Sequence, residues 1–414
     1  MPRQENTKEK ILQCAFGLFS EPRMSEISLS EIAGKAGISK TAIFRHYKNK
    51  EALLDKMRQS FFEALSQMLL ELGSIPKPHN QKTILKTVRS VFDFNDSHPN
   101  YLNYFLQMSF TDELLTEGVN LLMQDNGINV INEDVFKDPK NYSPKNLLPS
   151  FFEQTLLDFL ILSCGHSREF TKINDYEEYK DALAKLIYSG LGKKKNPISD
   201  RRKKELDKIC EIQLVGDEAS NRFLDAFVNL IQESKTQKIT VEKIASALGM
   251  AKSSVYSFFA NKQDYLLNML FQETERVNEI LSDKCREAKN ADEALYIVMK
   301  AQSNYFALRP QVIMLHGYFI FQENALEKKS REDLQKKSRE FLEKNFLNGL
   351  APDTFDFPVS NNSFLFVKWI SGLTVAFMLA GTRYKFPPEW TDFYVGTIFE
   401  MIECGIKSVK VDGE

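Results

Sequence analysis

The sequence predicts an all-α protein of two tandem units, each a three-helix helix-turn-helix domain followed by a larger helical domain. Three observations predict it. Apolar residues recur at helical spacing along most of the 414 residues. Short segments opened by Ser or Thr run into a glycine turn and then a second short segment. The chain also writes one stretch twice, "GISKTAIFRHYKNKEALL" from Gly37 and "GMAKSSVYSFFANKQDYLL" from Gly249.

In the first unit, Thr7 is read as the cap of a helix whose Ile11, Leu12, Ala15, Phe16 and Phe19 share one face. "SLSE" from Ser28 reads as a capping box, with Glu31 three residues on, opening a helix through Lys35. Gly37 supplies the left-handed backbone that ends it. Ser39 caps the next helix, "KTAIFRHY", and a further helix starts near Asn49. Ile32, Ala33, Ile38, Ile43 and Tyr47 are spaced to pack the two short helices together. Lys40, Thr41, Ala42, Arg45 and His46 are left toward solvent. Small residues near a helix N-terminus with donors and cations beyond them suit insertion into a major groove. Periodicity alone is shared by many helical hairpins.

The second writing aligns Ile239–Leu266 with Ile27–Leu54. Ile27, Ile32, Ala33, Gly37, Lys40, Asn49, Lys50 and Leu54 find identical partners. Further on, Pro99 pairs with Pro310, and "KLIYSGL" from Lys185 with "EMIECGI" from Glu400. The expected organisation is therefore a helix-turn-helix domain over 1–58, a helical regulatory domain over 59–192, a charged linker over 193–217, a second, partly degenerate helix-turn-helix domain over 218–271, and a second regulatory domain over 272–414. "KKKNPISDRRKK" between the halves reads as a solvated linker.

Composition narrows the function. With 43% hydrophobic and 27% charged residues and a net charge of −2, the chain is globular and no polycation. Any nucleic-acid surface must be local. Met1–Arg58 carries 11 basic against 7 acidic residues; Ala219–Leu270 carries 6 against 4. The N-terminus lacks a signal peptide's apolar core, and "FLFVKWISGLTVAFMLAG" from Phe364 is interrupted by Lys368, so it reads as a core helix and not as a membrane span. Five cysteines without a Cys-x-x-Cys pair give neither a disulfide framework nor a zinc site. A cytoplasmic protein is expected. His79, His98, His166 and His316 stand isolated, and Cys164 and His166 point to different helix faces, so no enzyme, metal or cofactor is expected.

"SLSEIAGKAGISKTAIFRHYKNKEALL" closely resembles the DNA-binding domain of the TetR family of bacterial transcriptional regulators, over about Thr7 to Met57. The resemblance implies that Lys40, Thr41, Ala42, Arg45 and His46 line a recognition helix and that Ser28 and Lys50 hold phosphates; Ser39, the cap of that helix, joins them as a DNA-binding candidate. Phe44 stands where the family usually has a phosphate-binding Tyr. In the second copy Thr240, Lys252, Ser253, Ser254, Tyr256 and Lys262 take the corresponding places, with Tyr256 restoring the tyrosine. Ala251, Ser257 and Phe258 replace Ser39, Arg45 and His46.

The family implies a double-stranded DNA operator, a small-molecule effector and repression relieved or modulated by that effector. Tyr101, Tyr104, Phe105, Met108, Phe152, Phe159, Tyr305 and Phe306 are candidates to line the effector pocket. Few ionisable groups stand out in these helical segments, which favours a lipophilic or aromatic effector. Fusion of two such units implies a monomeric pseudo-dimer, or a homodimer of such chains, with "FFEQTLLDFLILSCG" and "FVKWISGLTVAFMLAG" forming a bundle between the halves. The alternative is a ligand-binding or protein-interaction module that no longer binds an operator.

Overall fold

The computed structural model describes residues 2–20, 27–72, 80–108, 112–128, 176–190, 198–214, 218–233, 241–258, 262–320, 372–375, 377–379, 381–382 and 388–408, with single positions at 153, 156, 157, 160, 333, 336 and 340. Every regular element among them is helical. The helices are α1 (Pro2–Phe19), α2 (Leu29–Lys35), α3 (Lys40–Ile43), α4 (Lys50–Leu72), α5 (Gln81–Ser97), α6 (Tyr101–Met108), α7 (Glu113–Asp125) and α8 (Tyr176–Ser189). There follow α9 (Asp200–Ile209), α10 (Glu218–Glu233), α11 (Val241–Ala247), α12 (Lys252–Phe258), α13 (Lys262–Cys285), α14 (Ala291–Leu308), α15 (Pro310–Ile320) and α16 (Pro388–Cys404), closed by a 3-10 turn at Ile406–Ser408.

Two hydrophobic cores form. One gathers residues from Ile11 to Ile187 together with Ile406, the other residues from Leu206 to Phe399. In the first, Phe61 on α4 meets Tyr104 edge-on at 6.0 Å and stacks on Phe105 at 5.8 Å, while Phe16 on α1 meets Tyr104 at 5.0 Å. Edge-to-face contacts of this kind add to area burial.

Local geometry recurs in the two units. Asn80 caps α5 by accepting the Thr83 N–H, and Asn290 caps α14 by accepting that of Glu293. The residues ending these helices, His98 and Arg309, have φ/ψ of −130/67 and −132/67. Each donates its N–H four residues back, to Phe94 and Tyr305, just before an aligned proline.

Three expectations are corrected. Thr7 is not a cap, because α1 already starts at Pro2, where a proline suits the first helical turn. The charged segment between the halves is not wholly a solvated linker. Ser199 caps α9 by accepting the Arg202 N–H at 3.3 Å, with Asp200 in the first turn and Lys208 in the last favouring the helix dipole. Leu206 and Cys210 are fully buried on its inner face, and Arg202 forks onto Glu293 at 3.0 and 2.8 Å. Asn304 Nδ2 and Lys284 Nζ donate to the Cys210 and Glu211 carbonyls. Helix α14 is consequently buried on nearly every side, while α5 keeps Lys82, Lys86 and Arg89 in solvent. Third, buried ionisable groups do occur inside the regulatory helices: Lys180, Glu273, Lys300 and Arg309. The charge run hid α9 because its apolar stripe is only Leu206, Ile209 and Cys210.

No helix among the described residues is long and apolar enough to cross a membrane. Of the two segments expected to form a bundle, residues 153, 156, 157 and 160 are helical and buried, as are 373–375 and 377–379; most of the rest lies outside the described residues. Phe377 stacks on Tyr394 of α16 at 3.5 Å. Among the described residues, the halves meet at α8 and α16. The last turns of these helices meet where Gly190 and Gly405, both at positive φ (65 and 73°), press backbone against backbone. Leu186 packs against the second core, and Met401, its aligned counterpart, against the first.

Candidate nucleic-acid interface

The helix-turn-helix is built from its caps inward. The Ser28 Oγ accepts the Glu31 N–H at 3.2 Å, Ser39 Oγ that of Ala42 at 3.1 Å, and Asn49 Oδ1 that of Ala52 at 2.8 Å, so α2, α3 and α4 each start on a side-chain acceptor. The turn between α2 and α3 closes with Gly37 N–H on Gly34 O at 3.0 Å and Ile38 N–H on Ala33 O at 2.9 Å, around Gly37 at φ 68°. Ile32, Ala33, Ala36, Ile43 and Tyr47 are buried beneath it; Ile38 is half-buried. Burial pushes the Tyr47 phenol pKa up.

This packing decides what is left outside. Lys40, Thr41, Phe44 and Arg45 are exposed, Ala42 and His46 half-buried. The regular helix ends at Ile43. The backbone then tightens, Arg45 and His46 bonding to the Ala42 and Ile43 carbonyls at 3.1 and 3.0 Å, before Tyr47 returns to Ile43 O at 2.9 Å. Cations therefore stand at both ends of a short, small-faced segment. Phe44, 47% exposed, offers an apolar ring, suited to sugar or thymine-methyl contact. Lys50, half-buried, lies with its Nζ 5.9 Å from the Phe19 ring centre, which anchors its stem to α1. Because the Ser28 and Ser39 hydroxyls accept backbone N–H groups, their own protons remain to donate to a phosphate.

In the second copy, Gly249 at φ 64° closes the same turn, with Met250 N–H on Ala245 O at 2.9 Å and Gly249 N–H on Ser246 O at 3.1 Å. Helix α12 opens at Ala251, which has no side-chain acceptor. Lys252 and Ser253 are exposed and Ser254 half-buried, as at Lys40, Thr41 and Ala42. Lys252 pairs with Glu242 of α11. Thr240 and the Tyr256 and Lys262 side chains lie outside the described residues.

Of the expected pocket residues, Tyr104, Tyr305 and Phe306 are fully buried, Met108 is buried, Tyr101 and Phe105 are half-buried, and Phe152 and Phe159 lie outside the described residues. They do not gather into one site: Tyr101, Tyr104, Phe105 and Met108 belong to the first core, Tyr305 and Phe306 to the second. The Tyr305 hydroxyl donates to Glu273, which also binds Arg309 Nη2 at 2.8 Å. That phenol is thus held within an ion cluster, its pKa raised by burial and by the Glu273 carboxylate. The Tyr104 hydroxyl is buried with no hydrogen-bond partner among the described residues, as are Gln302 Oε1, Ser303 Oγ and His316 Nε2.

Sequence reasoning missed Arg58, Asp112, Glu273 and Arg309, whose buried pairing nothing in their local patterns signals. It set His316 aside as isolated, yet burial pulls the pKa of that imidazole down from 6.5 to about 4. Between those values the unfolded chain binds the extra proton, so stability is full above pH 6.5 and falls as the pH drops toward 4. A single group shifted this far changes stability by roughly 3 kcal/mol across that window. The midpoint of urea unfolding is therefore expected to fall on acidification, and His316→Leu to flatten that fall.

Residues 11–57 match the family described as "Bacterial regulatory proteins, tetR family". The chain is 22% identical over 188 residues to the biofilm operon icaADBC HTH-type negative transcriptional regulator IcaR of Staphylococcus aureus (strain Newman), covering 44% of this chain and 96% of that protein. It is 30% identical over 87 residues to the fatty acid metabolism regulator protein of Bacillus subtilis (strain 168), covering 21% and 43% of the two chains. The crystal structure of a TetR family transcription regulator from Marinobacter aquaeolei VT8 aligns with 48% of this chain and 97% of its own, at 16% identity and a TM-score of 0.32.

Proposed function

We propose that the chain is a sequence-specific DNA-binding transcriptional regulator, a repressor, whose halves act as a covalent pseudo-dimer modulated by a small lipophilic ligand. The observation that carries the reading is the first helix-turn-helix, where a capped, buried scaffold leaves Lys40, Thr41 and Arg45 together in solvent. Lys40, Thr41, Ala42, Arg45 and His46 read bases and nearby backbone; Ser28, Ser39 and Lys50 hold phosphates. Similarity to regulators of transcription, one of them named a negative regulator, supports repression.

The pseudo-dimer is supported by contacts that a two-fold interface demands, in which equivalent residues meet each other. Gly190 touches Gly405, and Leu186 and Met401 each cross to the other half's core. A relative matched over 96% of its own length takes up 44% of this chain, so one whole protein corresponds to one half. Two modules in one chain need no association step, because the connection supplies a high effective concentration. Since "KTAIFRHY" and "KSSVYSFF" differ, the operator is asymmetric. The similarity to a fatty acid metabolism regulator supports a lipophilic effector, as does the aromatic packing around Tyr104.

The test combines Lys40→Ala with Arg45→Ala. Affinity for a duplex selected from a random pool is expected to drop by about 30-fold or more, and the salt dependence to become shallower by up to about 2. An unchanged affinity with unchanged folding would leave the ligand-binding or interaction module as the function.

A further inference from the structure

The two recognition helices differ in a way that the residues on them do not reveal. Lys40 is exposed and makes no ion pair among the described residues. Its aligned counterpart Lys252, equally exposed, is held by the carboxylate of Glu242, across the turn on α11. At the position of Glu242 the first copy has Ser30, a neutral residue that cannot hold Lys40 this way.

We infer that Glu242 detunes the second recognition helix, so that operator binding is unequal: the first module reads DNA while the second is kept electrostatically weak. The inference rests on the DNA-binding function proposed above and names a residue that sets its specificity. Competition for Lys252 is the physical cause. A phosphate reaching Lys252 must displace a carboxylate already in contact with it. Lys40 meets a phosphate or base edge without such a contest. The pair is more than half exposed on both sides, so it contributes little to folding and its substitution leaves the scaffold intact. The remaining differences act in the same direction: the Arg45 cation and the His46 ring donor are replaced by Ser257 and Phe258. A weak second module has a regulatory use. It lets a modest ligand-driven change in spacing release half of the contacts without opposing two tight grips.

The measurement is affinity for a random-sequence duplex long enough to span two successive major grooves, taken over a salt series for the full chain. Glu242→Gln is expected to tighten binding about three- to tenfold and to steepen the slope of log affinity against log salt by up to about 0.9, one phosphate contact. Lys252→Ala alone should change affinity less than about twofold, whereas Lys40→Ala weakens it about fivefold or more. In the Glu242→Gln, Lys252→Ala double variant the gain should vanish. A gain that survives without Lys252, or a Lys252→Ala loss matching that of Lys40→Ala, overturns the inference while leaving DNA binding in place. Silence at Lys40 and Glu242 alike overturns the DNA-binding reading, and the inference with it. Glu242→Ser, which copies Ser30, repeats the test with a second side chain.

Discussion

Gly405→Ala is expected to cost about 3 kcal/mol or more of unfolding free energy, far beyond an ordinary glycine-to-alanine change. Two terms add. Gly405 sits at φ +73°, where any Cβ costs roughly 1 kcal/mol. That Cβ would also stand 2.1 Å from the Tyr188 carbonyl oxygen and 2.5 Å from the Gly190 nitrogen. These are backbone atoms at the end of α8, so no side chain can swing aside. The last turns of α8 and α16 must separate, and with them Ile406, which inserts from the C-terminal segment into the first core. Gly249→Ala supplies an internal control. Its φ is +64°, yet nothing lies within 4 Å of the added Cβ, so only the backbone cost remains. Urea unfolding of the two variants separates a close seam from a loose one. Equal losses would mean that the halves do not meet at these glycines. A larger loss at Gly405, accompanied by weakened DNA binding at unchanged helix content, is what a fused pseudo-dimer requires.

The parts legible in the sequence were those governed by local rules. Ser28, Ser39 and Asn49 cap because a short acceptor before a helical run has one good use, and Gly37 and Gly249 turn because only glycine takes positive φ cheaply. That Lys40, Thr41 and Arg45 face solvent followed from which neighbours had to be buried, while Ala42 and His46, expected beside them, are half-buried. What stayed hidden depended on distant partners. Arg202 looks like one more cation in a charge run until Glu293, 91 residues away, takes its guanidinium; the thin stripe of Leu206 and Cys210 then suffices to bury α9. Glu242 looks like a solvated helix residue until the turn returns Lys252 to it. The alignment of Lys40 with Lys252 was visible, but its unequal electrostatics was not, because the deciding residue lies on the other helix.

Arg58 is the strongest case of a hidden partner, and Arg58→Met is expected to destabilise the chain by about 3–5 kcal/mol. The guanidinium is buried on α4, the helix that runs without a break from the helix-turn-helix through the expected boundary at Arg58 to Leu72. It binds Asp112 Oδ2 and Glu51 Oε1, each at 2.7 Å, and also Asp55. Burial works against its charge, but the bonds to Glu51, Asp55 and Asp112 hold its pKa above the usual arginine value. Glu51 and Asp55 are largely exposed and lose little when the cation goes. Asp112 is as buried as Arg58, so Arg58→Met strands a charge in the core. Asp112 also caps α7, its Oδ1 accepting the Leu115 N–H at 3.0 Å. Asn caps in the same way at Asn80 and Asn290, so Asp112→Asn removes the stranded charge and keeps the cap. The Arg58→Met, Asp112→Asn chain is therefore expected to regain at least half of the stability lost in Arg58→Met, as read from urea unfolding midpoints. If the second substitution instead adds its own loss, the cost at Arg58 comes from packing of its stem and not from an uncompensated carboxylate. Because the pair ties α4, which carries the recognition surface at its start, to the first turn of α7, the double variant also reports on coupling. Stability restored with DNA affinity still weakened would mean that the ion pair orients α4 as well as stabilising it.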